Sequence, residues 1–255
     1  TKVEMKDEYS KVEISKTDIT TGKELEGAKL QIIRKDGTVL EEWITDGKPH
    51  SVAKLPVNEE LTLREITAPD GYEIAEDVTF TLKDTMEVQK VEMKDDVPTG
   101  TLIINKKGEF LEKVSALDSV GGWISHLFEY ISGSLKEVTF EVYALEDIKA
   151  ADGESEDYYK KDDLIATITT DETGVAKLTD LPLGKYRVKE TKTPAGFVLN
   201  PDSQEVSFIY KDQNTPEIEE KLEFSNERQK VELSVEKQDA ETGKTLKGAT
   251  FGLYN

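Results

Sequence analysis

The sequence predicts an all-β protein built from β-sandwiches in tandem, and three observations carry that prediction. Valine, isoleucine, leucine and threonine alternate with polar residues along much of the chain, as in strands with one buried face. Turn signals containing glycine or proline interrupt these runs at short intervals. Short elements recur in the same order along the chain, which is the signature of repeated units. Composition alone points elsewhere, since 36% apolar against 34% charged residues suggests disorder. The alternation decides against disorder, because a thin sandwich with solvated faces needs few apolar residues.

The opening strand of a unit occurs three times. Val12-Glu13-Ile14-Ser15-Lys16, Leu102-Ile103-Ile104-Asn105-Lys106 and Leu233-Ser234-Val235-Glu236-Lys237 each read apolar-x-apolar-x-Lys. Strand side chains alternate between faces, so each lysine shares the inward parity of its apolar neighbours. The next element is a turn and second strand. Thr21-Gly22-Lys23-Glu24-Leu25-Glu26-Gly27-Ala28 matches Thr242-Gly243-Lys244-Thr245-Leu246-Lys247-Gly248-Ala249.

A third element occurs twice, as Leu61-Thr62-Leu63-Arg64-Glu65-Ile66-Thr67-Ala68-Pro69-Asp70-Gly71-Tyr72 and as Tyr186-Arg187-Val188-Lys189-Glu190-Thr191-Lys192-Thr193-Pro194-Ala195-Gly196-Phe197. Glu65 and Glu190 end alternating strands on the inward parity, and the Pro-x-Gly that follows is a turn. The closing strand is Val91-Glu92-Met93-Lys94-Asp95 in one unit and Leu222-Glu223-Phe224-Ser225-Asn226 in the next. Val3-Glu4-Met5-Lys6-Asp7 repeats it near the start. Asp95, Asn226 and Asp7 again lie on the apolar parity.

This order divides the chain. Residues 1–7 read as the last strand of a preceding unit, 8–96 and 97–227 as two whole units, and 228–255 as the first strands of another. Val97-Pro98-Thr99-Gly100 is a short linker stiffened by its proline. The second unit carries two insertions, near 109–133 and 150–163. In the first, Leu111, Val114, Leu117, Val120, Ile124, Leu127 and Ile131 recur every three or four residues. That spacing predicts an amphipathic helix, kinked at Gly121-Gly122. Trp123, Phe128 and Tyr130 add aromatic surface to it, either to pack on its own sandwich or a neighbouring unit, or to bind a partner. The second insertion, around Asp152-Gly153-Glu154-Ser155-Glu156-Asp157, reads as a solvated acidic loop and lacks EF-hand spacing.

Composition excludes several classes of function. The net charge of −20 opposes nucleic-acid binding, which needs a basic surface. The absence of cysteine removes disulfides and thiol chemistry. His50 and His126 are the two histidines and are isolated in sequence, so no metal site and no cofactor are expected. No run of about 18 apolar residues exists to span a membrane.

The chemistry of interest lies in the inward polar residues. Each whole unit places a lysine, a glutamate and an Asp or Asn on core parity, as Lys16/Glu65/Asp95 and Lys106/Glu190/Asn226. Burial disfavours charged forms, which lowers an amine and raises a carboxyl. A neutral amine is a nucleophile, and a protonated glutamate can polarise the neighbouring carbonyl and shuttle protons. Contact between amine and carbonyl removes most of the entropic barrier. The product is an amide between side chains, formed with loss of water at Lys16–Asp95 and of ammonia at Lys106–Asn226. A buried salt bridge without a covalent bond, or a lysine bending its amine out to water, is the alternative.

The same residues resemble the Cna B-type, or SpaA-like, domains of Gram-positive surface proteins and pilins. Leu63 to Tyr72 looks like the family's E-box, and Lys-x-Asp followed by Thr-Gly-Lys-x-Leu-x-Gly-Ala looks like its opening strands. The first unit is similar to the isopeptide-forming B-type domain of a streptococcal fibronectin-binding protein. The resemblance implies prealbumin-like (reverse Ig-like) sandwiches in which Lys16 and Asp95 are joined under catalysis by Glu65. It implies the Lys–Asn variant for Lys106, Asn226 and Glu190, and leaves Asp7 and Lys237 as reactive positions with partners outside the chain. Lys107 competes with Lys106, but its parity faces solvent.

The resulting expectation is a stalk segment of an extracellular, cell wall-anchored adhesin or pilin-like protein, with its anchor outside this segment. Its partners would be neighbouring repeats. No turnover enzyme is expected, because each glutamate acts once on its own unit. The rival expectation is an adhesive module whose insertion recognises a host or bacterial surface ligand.

Overall fold

A computed structural model of the chain describes residues 9–117, 125–153, 155–231 and 233–252. Asp7 and Trp123 lie outside these residues. The first unit contains β1 (Lys11–Asp18), β2 (Glu26–Arg34), β3 (Val39–Asp46), β4 (His50–Ala53), β5 (Glu60–Thr67), β6 (Val78–Thr81) and β7 (Gln89–Asp95). They form two sheets, ordered β4-β1-β7 and β3-β2-β5-β6. The second unit contains β8 (Thr99–Leu117), β9 (Ser125–Ser134), β10 (Thr139–Ala144), β11 (Leu164–Thr169), β12 (Val175–Leu181), β13 (Gly184–Lys192), β14 (Ser203–Phe208) and β15 (Glu217–Asn226). Its sheets run β12-β8-β15, with β9 also on β8, and β11-β10-β13-β14. No helix occurs among the described residues.

Alternation builds both cores. Val12 and Ile14 of β1, Leu61 and Leu63 of β5, and Met93 of β7 point inward and are buried with Leu30, Ile32 and Leu82. In the second unit Leu102, Ile104, Phe140, Val142, Tyr186, Val188 and Phe224 do the same. Burying each such side chain contributes about 1.5–3 kcal/mol.

The first and last strands of each unit are parallel neighbours. Lys16 sits opposite Met93 across β1 and β7, and Lys106 sits opposite Phe224 across β8 and β15. Two residues further along each closing strand stand Asp95 and Asn226, on the same face as Met93 and Phe224. This register is what brings lysine and acceptor together.

The helix expected over 109–133 gives way, in its described residues 109–117 and 125–133, to the two antiparallel strands of a β-hairpin. β8 runs past the sandwich and pairs antiparallel with β9, from Lys107 opposite Ser134 to Leu117 opposite Ser125. The reason lies in a bulge. The register shifts between Leu111 and Lys113, so Leu111 faces Tyr130 while Val114 faces Phe128. Three positions on one strand then match two on the other. Leu111 and Val114 share a face at the i, i+3 spacing that imitates a helical stripe. Backbone pairing onto a strand already held in a sheet, with Val114/Phe128 and Lys113/Glu129 as cross-strand pairs, decides in favour of the hairpin. Gly121 and Gly122 lie outside the described residues.

The two units touch at the turn that follows Glu65. Gly71 adopts φ 87° and Gly196 φ 88°, a left-handed conformation that glycine reaches without steric cost. The Ala68 N–H donates to Gln213 Oε1 (2.9 Å), the Ile74 N–H to the Gln213 carbonyl (2.9 Å) and the Tyr210 hydroxyl to the Tyr72 carbonyl (3.1 Å). Lys23 and Asp152 add an ion pair at 3.2 Å. The second copy of the opening turn, in residues 239–243, repeats the first in detail. Asp18 Oδ1 accepts from the backbone of Thr20 and Thr21, as Asp239 Oδ1 does from Glu241 and Thr242.

Candidate functional site

Each sandwich holds one polar cluster between its sheets. In the first, Lys16 is 1% exposed, Glu65 3% and Asp95 0%; in the second, Lys106 is 1%, Glu190 0% and Asn226 3%. Lysine and acceptor come from the parallel strand pair of one sheet, and the glutamate comes from the facing sheet. Leu30 pairs with Glu65 and Phe140 with Glu190, so an apolar residue flanks each carboxyl.

In the first cluster Lys16 Nζ contacts Asp95 Oδ1 and lies 3.1 Å from Glu65 Oε1. The Ala75 N–H donates to Glu65 Oε2 at 2.7 Å and fixes the carboxyl plane. Burial pushes the Asp95 carboxyl up to about 7, against the opposite pull of Lys16 and with a further push from Glu65. Asp95 is therefore held in the protonated, electrophilic form far above the usual carboxylate range.

In the second cluster Lys106 Nζ donates to Glu190 Oε2 (2.7 Å) and to Asn226 Oδ1 (2.6 Å). Asn226 Nδ2 donates to Glu190 Oε1 (2.5 Å) and to Thr193 Oγ1 (2.8 Å). Burial pushes the Lys106 amine below its ordinary value, against the opposing pull of Glu190. The Phe140 and Phe224 rings lie 5.9 Å and 5.8 Å from Lys106 Nζ and help to exclude water. The glutamate bridges the nucleophilic nitrogen and the nitrogen that would leave, which is the geometry a proton shuttle needs.

The structure thus brings together six residues that sequence parity singled out. Lys107 points to solvent and lies 3.8 Å from Glu223. Lys237 is exposed. Phe128 is 53% exposed on the hairpin, and Tyr130 lies under Lys230, 5.0 Å from its ring centroid. His126 is exposed, and His50 stacks on Trp43 at 4.4 Å. Among the described residues no group of three or more His, Cys, Asp or Glu could hold a metal ion. No helix there is long and apolar enough to cross a membrane. Sequence reasoning missed Thr193. The signal was present, since Ala68 occupies the same place before the proline of the first unit's turn.

A family model described as SpaA, prealbumin-like fold domain, matches residues 10–97 and 131–222. Among solved structures the chain is similar to the Bacillus anthracis TIE protein, at 21% identity and a TM-score of 0.53, over 87% of this chain and 34% of that one. It spans about a third of that protein's length and shares its fold. Lesser similarity is found to GBS52, the minor pilin of the Gram-positive pathogen Streptococcus agalactiae (14% identity, TM-score 0.35, 89% of this chain and 100% of that one). It is also found to BcpA, the major pilin subunit of Bacillus cereus (15%, 0.32, 86% and 99%). No curated protein matches the chain.

Proposed function

The chain belongs to the SpaA family of prealbumin-like-fold domains, and from that premise we propose that it is a structural stalk segment of a Gram-positive cell-surface protein, adhesin or pilin-like. Its two whole units are stabilised by isopeptide bonds that they form themselves, Lys16–Asp95 and Lys106–Asn226. The single observation that supports this reading is the pair of buried clusters, each with the amine of the first strand in contact with an acceptor on the last strand and with a glutamate of the facing sheet.

The reaction follows from those contacts. Neutral Lys106 Nζ attacks Asn226 Cγ, and the carbonyl electron pair moves to Oδ1. Glu190 takes the proton released by Nζ at Oε2 and returns one to Nδ2 through Oε1. The tetrahedral centre collapses, the C–N bond breaks and ammonia leaves. At Lys16, Glu65 performs the same transfer, and the hydroxyl of protonated Asp95 leaves as water. Each glutamate ends as it began, and each unit reacts once.

Intact mass spectrometry of the purified chain tests the proposal. The expected mass lies below the sequence mass by one water and one ammonia. Glu65→Ala should restore the water and Glu190→Ala the ammonia. A chain at its full sequence mass would sink the idea.

A second reading is favoured by one observation. Leu111, Val114 and Phe128 form an exposed apolar face on the hairpin, suited to a host or bacterial surface ligand. Pull-down with and without residues 109–133 separates the two readings, because a stalk keeps its behaviour and an adhesive module loses its partner.

A further inference from the structure

The two clusters differ in the acceptor they hold and in one neighbouring residue. The turn after the catalytic glutamate carries Ala68 in the first unit and Thr193 in the second, each directly before the proline. The first unit holds Asp95, and the second holds Asn226. A hydrogen-bond count connects the two differences. A protonated Asp95 carboxyl has one hydrogen to place, and Asp95 Oδ2 and Glu65 Oε1 are the buried oxygens of that cluster with no other hydrogen-bond partner to compete for it. The Asn226 carboxamide has two N–H groups. Glu190 Oε1 accepts one at 2.5 Å, and Thr193 Oγ1 accepts the other at 2.8 Å. An alanine at 193 would leave a buried N–H without a partner.

The orientation of Asn226 depends on the same contacts. Attack requires Oδ1 beside the amine and Nδ2 beside Glu190. The Glu190 carboxylate also accepts from Lys106, so it repels an amide oxygen and favours the nitrogen. Thr193 completes the pair of acceptors around Nδ2. It holds the carboxamide plane so that the carbonyl faces Lys106 Nζ, and it holds the nitrogen that must depart.

We propose that Thr193 is the positioning residue that adapts the second unit to an asparagine acceptor. It seats the leaving nitrogen of Asn226, a task the first unit does not have. This assignment rests on the isopeptide reading above. Thr193 exchanges no atoms in the reaction: Lys106 Nζ gains the bond to Cγ, Nδ2 leaves as ammonia, and the transferred proton travels through Glu190.

The test uses the full chain, made by cell-free translation and sampled over time by intact and peptide mass. Thr193→Val keeps the shape and removes the hydroxyl. It should slow ammonia loss at Lys106–Asn226 by about tenfold, the rate equivalent of one unpaired buried N–H. Thr193→Ser should restore the rate to within about twofold of the parent. Water loss at Lys16–Asp95, in the same molecule, should not change. Asn226→Asp exchanges ammonia loss for water loss, and adding Thr193→Val to it should slow that reaction by less than about twofold. That double variant also reports whether the unit still folds, since only a folded unit can react.

Three results overturn the assignment: Thr193→Val reacting at the parent rate, Thr193→Ser failing to rescue, or Thr193→Val slowing the Asn and Asp forms equally. A parent chain that never loses ammonia overturns the isopeptide reading itself, and Thr193's role with it. A parent that loses ammonia while Thr193→Val matches it overturns the Thr193 assignment alone.

Discussion

Burial holds the Asp95 carboxyl protonated up to about pH 7, whereas an unfolded aspartate releases its proton near the ordinary value of 3.8. Two consequences follow. For the unreacted first unit, the folded state binds the extra proton, so this group's contribution to stability is present below pH 3.8 and is lost as pH rises through about 7. For the reaction, an ionised carboxylate resists attack. Water loss at Lys16–Asp95 should therefore slow as pH rises from about 6 to about 8. Ammonia loss should not show that decline, because an amide does not titrate there. It should rise with pH as Lys106, already pushed down by burial, loses its proton. Following both losses by peptide mass in freshly translated chain checks this, and identical pH profiles would contradict it.

At the scale of the element, the loops that hold the reactive strands matter as much as the strands. The Lys106 N–H donates to the Gly174 carbonyl (2.8 Å), and the Leu135 N–H donates to the Lys106 carbonyl (3.0 Å). Gly174 has φ 78°, and a Cβ there would lie 2.7 Å from the Lys106 carbonyl oxygen. Gly174→Ala is expected to cost about 2 kcal/mol, read as a lower denaturant midpoint in the Glu190→Gln background, and to slow ammonia loss in the otherwise native chain. The hairpin should behave differently. β15 pairs with β8 only as far as Gly108, which also pairs with Gly133 of β9, so residues 110–131 lie beyond the pairing that sets Lys106 beside Asn226. Replacing residues 110–131 by a two-residue turn should leave ammonia loss complete. It should cost some stability, because Phe110 packs edge-on against Phe197 at 5.5 Å. An uncrosslinked second unit after this deletion would mean that the hairpin helps to place Lys106.

For the whole molecule, the proposed bonds decide where load travels. A pull on the two ends enters β1, crosses from Lys16 to Asp95, passes through the linker into β8, and crosses from Lys106 to Asn226. The sequence separations are 79 and 120 residues, and all the chain between would be shielded. Single-molecule stretching of the native chain should show no unfolding step within either unit. Glu65→Gln and Glu190→Gln should each release a step, of roughly 270 Å and 410 Å. The same closures restrict the unfolded chain by about 4–5 kcal/mol each in the chain-entropy picture. A large drop in melting temperature should therefore accompany loss of either bond.

Much of this was legible in residue order, for a definite reason. Strand side chains alternate with a period of two, so a lysine in phase with Val12 and Ile14, or a glutamate in phase with Leu61 and Leu63, is assigned to the core without knowing the fold. Repetition then made each assignment twice. Contacts across the sandwich were not legible in that way. Only the parallel pairing of first and last strands set Lys16 beside Asp95 and Lys106 beside Asn226 at bonding range. Only the tertiary turn after Glu190 carried Thr193 to the Asn226 nitrogen, because a partner lying 33 positions away leaves no periodic trace. The hairpin is hidden in the residue order for a related reason. A bulge adds one residue to one strand, and its i, i+3 spacing equals a helical one until the partner strand is seen. Local periodicity thus settled which side chains face inward, and the pairing of distant strands settled which of them meet.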